Sequence, residues 1–191
     1  MDMSLDINKA KTALVVIDLQ KGIATMPTHP YSAAEVIANS TRLVKTFRDK
    51  KMPVFLVHVQ GSKETMLNVK SDETFSRPAT VPQDWADFVN EVSPTPDDVI
   101  ITKKQWGAFY GTDLDLQLRR RGMDTIVLCG IATDYGVEST ARFAYEYGYQ
   151  QIFAEDAMAS MSNAQHDAAI KFVFKRMGRV RKTDEILKQL E

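Results

Sequence analysis

The segment from Asp124 to Gly148 leaves the chain few folds to choose from. Asp124-Thr-Ile-Val-Leu-Cys129 is a short, apolar, β-branched run of the kind that forms a strand buried on both faces, as parallel strands are. Gly130-Ile-Ala-Thr-Asp-Tyr-Gly136 follows at once. Val137 to Tyr147 then carries apolar or small residues at helical spacing and stops at Gly148, the residue type most common just past a helix end. Strand, tight turn and helix in direct succession aim unpaired backbone N–H groups and a partial positive charge at the strand's carboxyl end. Anions and developing oxyanions are stabilised at such a place. Gly130, Ala132, Thr133 and Gly136 are small enough for a ligand to approach the backbone closely. Most such turns in α/β proteins are connectors, so a functional reading needs other segments to support it.

Two segments do. Ala13 to Ile17 is an apolar run ending at Asp18, and Val99-Ile-Ile101 leads directly to Lys103. Each delivers a charge to the carboxyl end of a strand, where open α/β sheets bind ligands. Capping of the next turn is the structural alternative for Asp18. Further strands are expected over 53–59, 150–154 (ending at Glu155-Asp156) and 179–181. Ser32 heads an amphipathic helix to Lys50 with Val36, Ile37, Leu43, Val44 and Phe47 on one face. Helices are also expected over 83–92, after Thr112, over 163–177 and from Thr183 to Leu190. The Arg119-Arg-Arg121 triplet ends the second of these and complements its dipole. Alternating strands and helices predict a parallel sheet covered on both faces. A length of 191 residues suits one domain spanning 1–191.

Leu14-Val-Val-Ile-Asp18-Leu-Gln20, Ile101-Thr-Lys103-Lys-Gln-Trp-Gly107-Ala-Phe109 and Gly130-Ile-Ala-Thr-Asp-Tyr-Gly136-Val-Glu-Ser-Thr-Ala-Arg142 occur in that order. Together they resemble the isochorismatase-like (cysteine hydrolase) superfamily from about Ala13 to about Thr183. The resemblance implies a three-layer α/β/α sandwich, Rossmann-like, with a six-stranded mainly parallel sheet. It also implies a homo-oligomer. In most members an Asp, a Lys and a Cys hydrolyse amides through a thioester, and the matching Asp and Lys here are Asp18 and Lys103. Lys104 is the less favoured neighbour. The nucleophile position is occupied by Gly136, which has no side chain to form a thioester. Isochorismatases share that departure and hydrolyse a vinyl ether without a covalent intermediate. The resemblance further implies a cis peptide between Ile131 and Ala132, forming an oxyanion pocket with Gly136. Candidate substrate-binding residues are Gln20, Trp106, Phe109 and Tyr135; aromatics in such a loop can alternatively anchor it to the core.

Charge and cysteine content narrow the classes. The 24 basic and 25 acidic residues nearly cancel, so neither nucleic acid nor membrane is an expected partner. No apolar run reaches the roughly 18 residues that span a bilayer, and a cytoplasmic location is expected. The single cysteine, Cys129, lies within an apolar strand, seven residues before the nucleophile position, where a free thiol behaves as a small hydrophobe. His29, His58 and His166 are scattered, and neither a metal site nor any cofactor is expected. His58 is read as a polar strand residue at or near the pocket rim. Residues 61–82 have no sustained period and are read as a lid or an oligomer contact. Within them Arg77 is either a solvated surface residue or a partner for a substrate carboxylate.

The expected function is hydrolysis of a small molecule without a covalent cysteine intermediate, with isochorismate-type vinyl ether cleavage as the reference reaction. Asp18 would be proton donor or water-activating base, and Lys103 its charged partner. The alternative is a non-catalytic small-molecule binding protein that has lost the nucleophile.

Overall fold

The central strands are apolar on both faces. β1 (Thr12–Ile17) and β4 (Thr125–Ile131) are buried at every position, the pattern of parallel strands covered by helices on each side. In the computed structural model, which describes residues 5, 7–62, 64–67, 69–73 and 80–191, β2 (Val54–Val59), β3 (Val99–Lys103), β5 (Gln150–Ala159) and β6 (Arg179–Arg181) complete a six-stranded sheet. Its order is β3-β2-β1-β4-β5-β6, and all five neighbouring pairs are parallel.

Alternation along each strand divides the core into two layers. Leu14, Val16, Leu56, Val127 and Cys129 point to one face. There they meet Val36, Leu43, Val44 and Phe47 of α2 (Ala33–Asp49, which follows the short α1, Lys21–Ala24) and Ile186 and Leu190 of α7 (Thr183–Leu190). Ala13, Val15, Ile17, Val57 and Leu128 point to the other. They pack on Leu114 and Leu118 of α3 (Leu114–Arg120) and on Ala141 and Ala144 of α4 (Glu138–Glu146). The helix over 163–177 closes this layer as α5 (Asn163–Ala168), a π-helical segment Ala169–Phe174 and α6 (Lys175–Met177), with Phe174 stacked on Phe153. Fully burying one such side chain stabilises the fold by about 1.5–3 kcal/mol.

Local chemistry sets the boundaries. Ser32 and Glu35 form a reciprocal capping box at the start of α2. β5 runs on to Ala159, past the expected end at Glu155-Asp156. Both carboxylates find partners: Asp156 accepts from Thr183 N and Oγ1, and Glu155 pairs with Lys182 and Tyr31, so neither interrupts the strand. The helix expected over 83–92 is reduced to a 3₁₀ turn at Asn90–Val92. The residues before it are held by antiparallel pairing of Phe88 with Gln20 and by the Trp85 and Asp87 carbonyls, which accept from Gly22 and Lys21. Gly130 has φ 119°, and a Cβ there would lie 2.0 Å from the Ile17 carbonyl oxygen, so β1 and β4 can approach only across a glycine.

Candidate active site

β1 and β3 lie on either side of β2, and the residues at their carboxyl ends meet above it. Lys103 Nζ is 2.7 Å from Asp18 Oδ2 and also donates to the Trp106 carbonyl at 2.6 Å. Asp18 is 4 % exposed and Lys103 2 %, so this is a buried pair, in which each charge makes the other tolerable. Asp18 has φ 52°, in the left-handed region, where a non-glycine residue is uncommon and often functional. Its N–H donates to the Val57 carbonyl at 2.9 Å, fixing it to the end of β2. The second carboxylate oxygen, Oδ1, is buried and has no hydrogen-bond partner. Burial pushes the Asp18 carboxyl above the usual carboxylate range, against the opposing pull of Lys103 and, more weakly, His58.

The turn after β4 closes the site from above. The Ile131–Ala132 peptide is cis, and Thr133–Val137 form one π-helical turn leading into α4. The Ala132 carbonyl accepts from the N–H groups of Tyr135 and Val137, on either side of Gly136. A Cβ added at Gly136 would lie 2.9 Å from Ile17 Cγ2, 3.2 Å from Asp18 Oδ2 and 3.4 Å from Lys103 Nζ. Gly136 therefore faces the Asp–Lys pair, with hydrogen where a side chain would be. Thr140, one helical turn later, donates its hydroxyl to the Gly136 carbonyl at 2.7 Å and accepts from Ala108 N at 3.0 Å. It ties the loop after Lys103 to the turn. Sequence reading passed over it, although a threonine four residues after a turn glycine is placed for this back-bond.

The other candidates divide. Trp106 is 59 % exposed and meets the Tyr135 ring edge to face at 4.9 Å, forming an aromatic wall beside the pair. Gln20, expected at the ligand, is fully buried. Its amide accepts from Val59 N and donates to the Val59 and Trp85 carbonyls, so it staples the loop to β2. Phe109, also expected at the ligand, is buried against Tyr147 and Tyr149, near the amino end of β5, and anchors its loop to the core. Lys104 is exposed, as alternation along an extended chain requires. Arg77 lies outside the described residues. Among the described residues no group of three or more His, Cys, Asp or Glu could hold a metal ion, and no helix is long and apolar enough to cross a membrane.

Cys129 lies on the opposite face of the sheet from Ile17, and burial pushes its thiol up to about 12. A thiol so placed does not ionise near neutral pH and is shielded from solutes. Cys129→Ala and treatment with a small alkylating agent are each expected to leave turnover unchanged. Mass-spectrometric capture of a substrate-derived acyl group on Cys129 would overturn this.

Comparisons with known proteins identify the family. Residues 12–185 match the model of the isochorismatase domain. The chain is 48 % identical over 190 residues, 98 % of each chain, to the uncharacterized isochorismatase family protein YwoC of Bacillus subtilis. It is 29 % identical over 182 residues, 95 % of this chain and 87 % of the other, to a probable isochorismatase of Pseudomonas chlororaphis. The solved structure of an isochorismatase family protein from Burkholderia thailandensis superposes with a TM-score of 0.91 at 42 % identity, covering 98 % of this chain and 99 % of that one. With a domain match over most of its length and near full-length likeness to these proteins, the chain belongs to the isochorismatase family of hydrolases.

Proposed function

We propose that the protein hydrolyses a small vinyl ether of the isochorismate type without a covalent enzyme intermediate, within the branch of the family that has Gly in place of the nucleophilic Cys. The observation that carries this reading is the division of labour on Asp18: Oδ2 is held by Lys103 and faces Gly136, which presents no nucleophile, while Oδ1 is buried and unpartnered. A carboxyl group whose proton affinity is raised by burial is suited to give up a proton to carbon. Asp18 protonates the terminal vinyl carbon, forming a C–H bond and leaving an oxocarbenium ion. Water adds to that ion and returns a proton to the carboxylate. The resulting hemiketal then breaks its ether C–O bond, releasing an alcohol and a ketone. Lys103 holds the carboxyl in place and steadies it once ionised. Trp106 and Tyr135 flank the substrate.

The sign of the pH dependence follows from the donor role. The protonated form of Asp18 is the active one, so kcat/KM falls as pH rises through its raised folded pKa. Purified protein incubated with isochorismate or simpler vinyl ethers in D2O should release a ketone carrying one new deuterium on carbon, with slower turnover than in H2O. No mass shift should appear on the protein. A substrate-derived adduct on the protein, or the absence of turnover across a vinyl ether series, would overturn the reading.

A further inference from the structure

The turn after β4 is held from the β5 side as well as from the loop that follows Lys103. Thr133, directly after the cis peptide, is fully buried, and its Oγ1 lies 2.9 Å from Nδ1 of His166 in α5. His166 is itself only 1 % exposed. Its other ring nitrogen, Nε2, faces Glu155 Oε1 at 3.7 Å, beyond hydrogen-bond distance, and finds no hydrogen-bond partner among the described residues. Glu155 is gripped in turn by Lys182, which pairs with Oε2, and by Tyr31, whose hydroxyl donates to Oε1 at 3.0 Å. The Tyr31 ring meets the imidazole edge to face at 6.0 Å. Next to Thr133, Asp134 accepts from the Ser160 hydroxyl, and Ser160 pairs through its backbone with His29.

Donors and acceptors set the direction of this line of side chains. A carboxylate held by an ammonium only accepts, so the nitrogen that faces it, Nε2, carries the ring hydrogen, and Nδ1 is left to accept from the Thr133 hydroxyl. A buried hydroxyl is costly to leave unpaired, so the start of the turn follows the ring. Thr133 lies two residues before Tyr135, which stands against Trp106, and three before Gly136, which faces the Asp18–Lys103 pair. Thr140 ties the carbonyl of Gly136 to Ala108 on the other side. The turn is therefore strung between two side-chain anchors, and a rotation at Thr133 is carried directly to Tyr135 and Gly136. No step of the proposed reaction uses Thr133 or His166.

We infer that His166 is a positioning residue for the reaction: oriented by Glu155 and bonded to Thr133, it fixes the cis-peptide turn so that Tyr135 and Gly136 keep their places opposite the Asp18–Lys103 pair. This rests on the reading of the Asp18 pocket as the place where the reaction occurs. His166 touches no substrate and acts only through Thr133. Glu155, Lys182 and Tyr31 hold the ring in the orientation that this contact requires.

Two measurements test this, one of them without substrate. The N–H groups of Tyr135 and Val137 both donate to the Ala132 carbonyl, so their hydrogen exchange reports on the turn. In Thr133→Val, which keeps the shape and removes the hydroxyl, these two amides should exchange about tenfold faster or more, while those of β1 and β4 keep parental protection. On a vinyl ether substrate kcat should fall by about 10–10²-fold, the effect of a small misplacement at a reacting centre, with KM within about threefold of the parent. Thr133→Ser, which keeps the hydroxyl, should restore both readouts. His166→Asn places an amide near the position of Nδ1 and should retain most of the activity, whereas His166→Gln, whose amide reaches to the position of Nε2, should behave like Thr133→Val. Added to Thr133→Val, His166→Gln should lower kcat no further, because one hydrogen bond is lost only once. Parental exchange at Tyr135 and Val137 in Thr133→Val overturns the inference, and so do additive losses of kcat in the double variant. Faster exchange spread evenly over β1, β4 and the turn, with kcat unchanged, is the mark of a packing role alone and overturns it too. Should a His166 variant fail to fold, Thr133→Val against Thr133→Ser decides by itself. If the turn amides respond as expected but the parent turns over no vinyl ether, the proposed reaction fails and the positioning role stands.

Discussion

Asp18→Asn is expected to lower kcat/KM on any vinyl ether substrate by about 10²–10⁴-fold, the range for loss of a general acid or base. The amide is nearly isosteric, and asparagine tolerates the left-handed backbone that Asp18 adopts at φ 52° about as well as aspartate does. Its oxygen can still accept from Lys103 Nζ. What it lacks is a proton to give to carbon and a charge to set against the ammonium. Circular dichroism and the elution volume of the variant should match the parent, while its melting temperature drops because buried Lys103 loses the carboxylate it is paired with. Turnover at the parental rate would remove Asp18 from the chemistry.

Lys103→Met and Lys104→Met delete the same charge from adjacent positions and should differ sharply. Lys103 is buried on Asp18 and Trp106, whereas Lys104 faces solvent. Removing Lys103 frees Asp18 Oδ2, strips the carboxylate of its counter-charge and releases the loop that carries Trp106. A fall in kcat/KM of about 10²-fold or more is expected, comparable with loss of a preorganised donor. Lys104→Met should stay within about twofold. Equal losses in the two variants would mean that long-range charge, not local geometry, supports the reaction.

Much of the architecture was legible because buried parallel strands leave unbroken apolar runs, as in Ala13–Ile17 and Thr125–Cys129, and because Ser32 with Glu35 spells out a helix start. Asp18 and Lys103 could be singled out since each ends such a run. Side-chain direction at irregular backbone was harder. Gln20 sits two residues from Asp18 in sequence, yet its amide turns to the end of β2, where backbone groups of Val59 and Trp85 capture it. Phe109, two residues after Gly107, turns inward to Tyr147 and Tyr149. Glu155 and Asp156 read as a strand end, because their partners at Tyr31, Lys182 and Thr183 are far away in the chain. That Asp18 and Lys103 meet over the end of β2 depends on the order β3-β2-β1, which no local pattern encodes.

The buried pair over β2 also shapes how this protein can drift. Losing one partner of a buried ion pair costs about 3–5 kcal/mol. That is a large share of the roughly 5–15 kcal/mol that holds a typical domain folded. Replacing both partners with apolar residues of similar size is often neutral or stabilising, by about 1–4 kcal/mol. Between the parent and a hardier, inactive descendant there lies an unstable intermediate at either single step. Gradual mutation is held back by that valley, whereas a library that varies positions 18 and 103 together and is screened for heat resistance crosses it in one move. Stability selection alone, applied to both positions at once, will drive this scaffold away from catalysis.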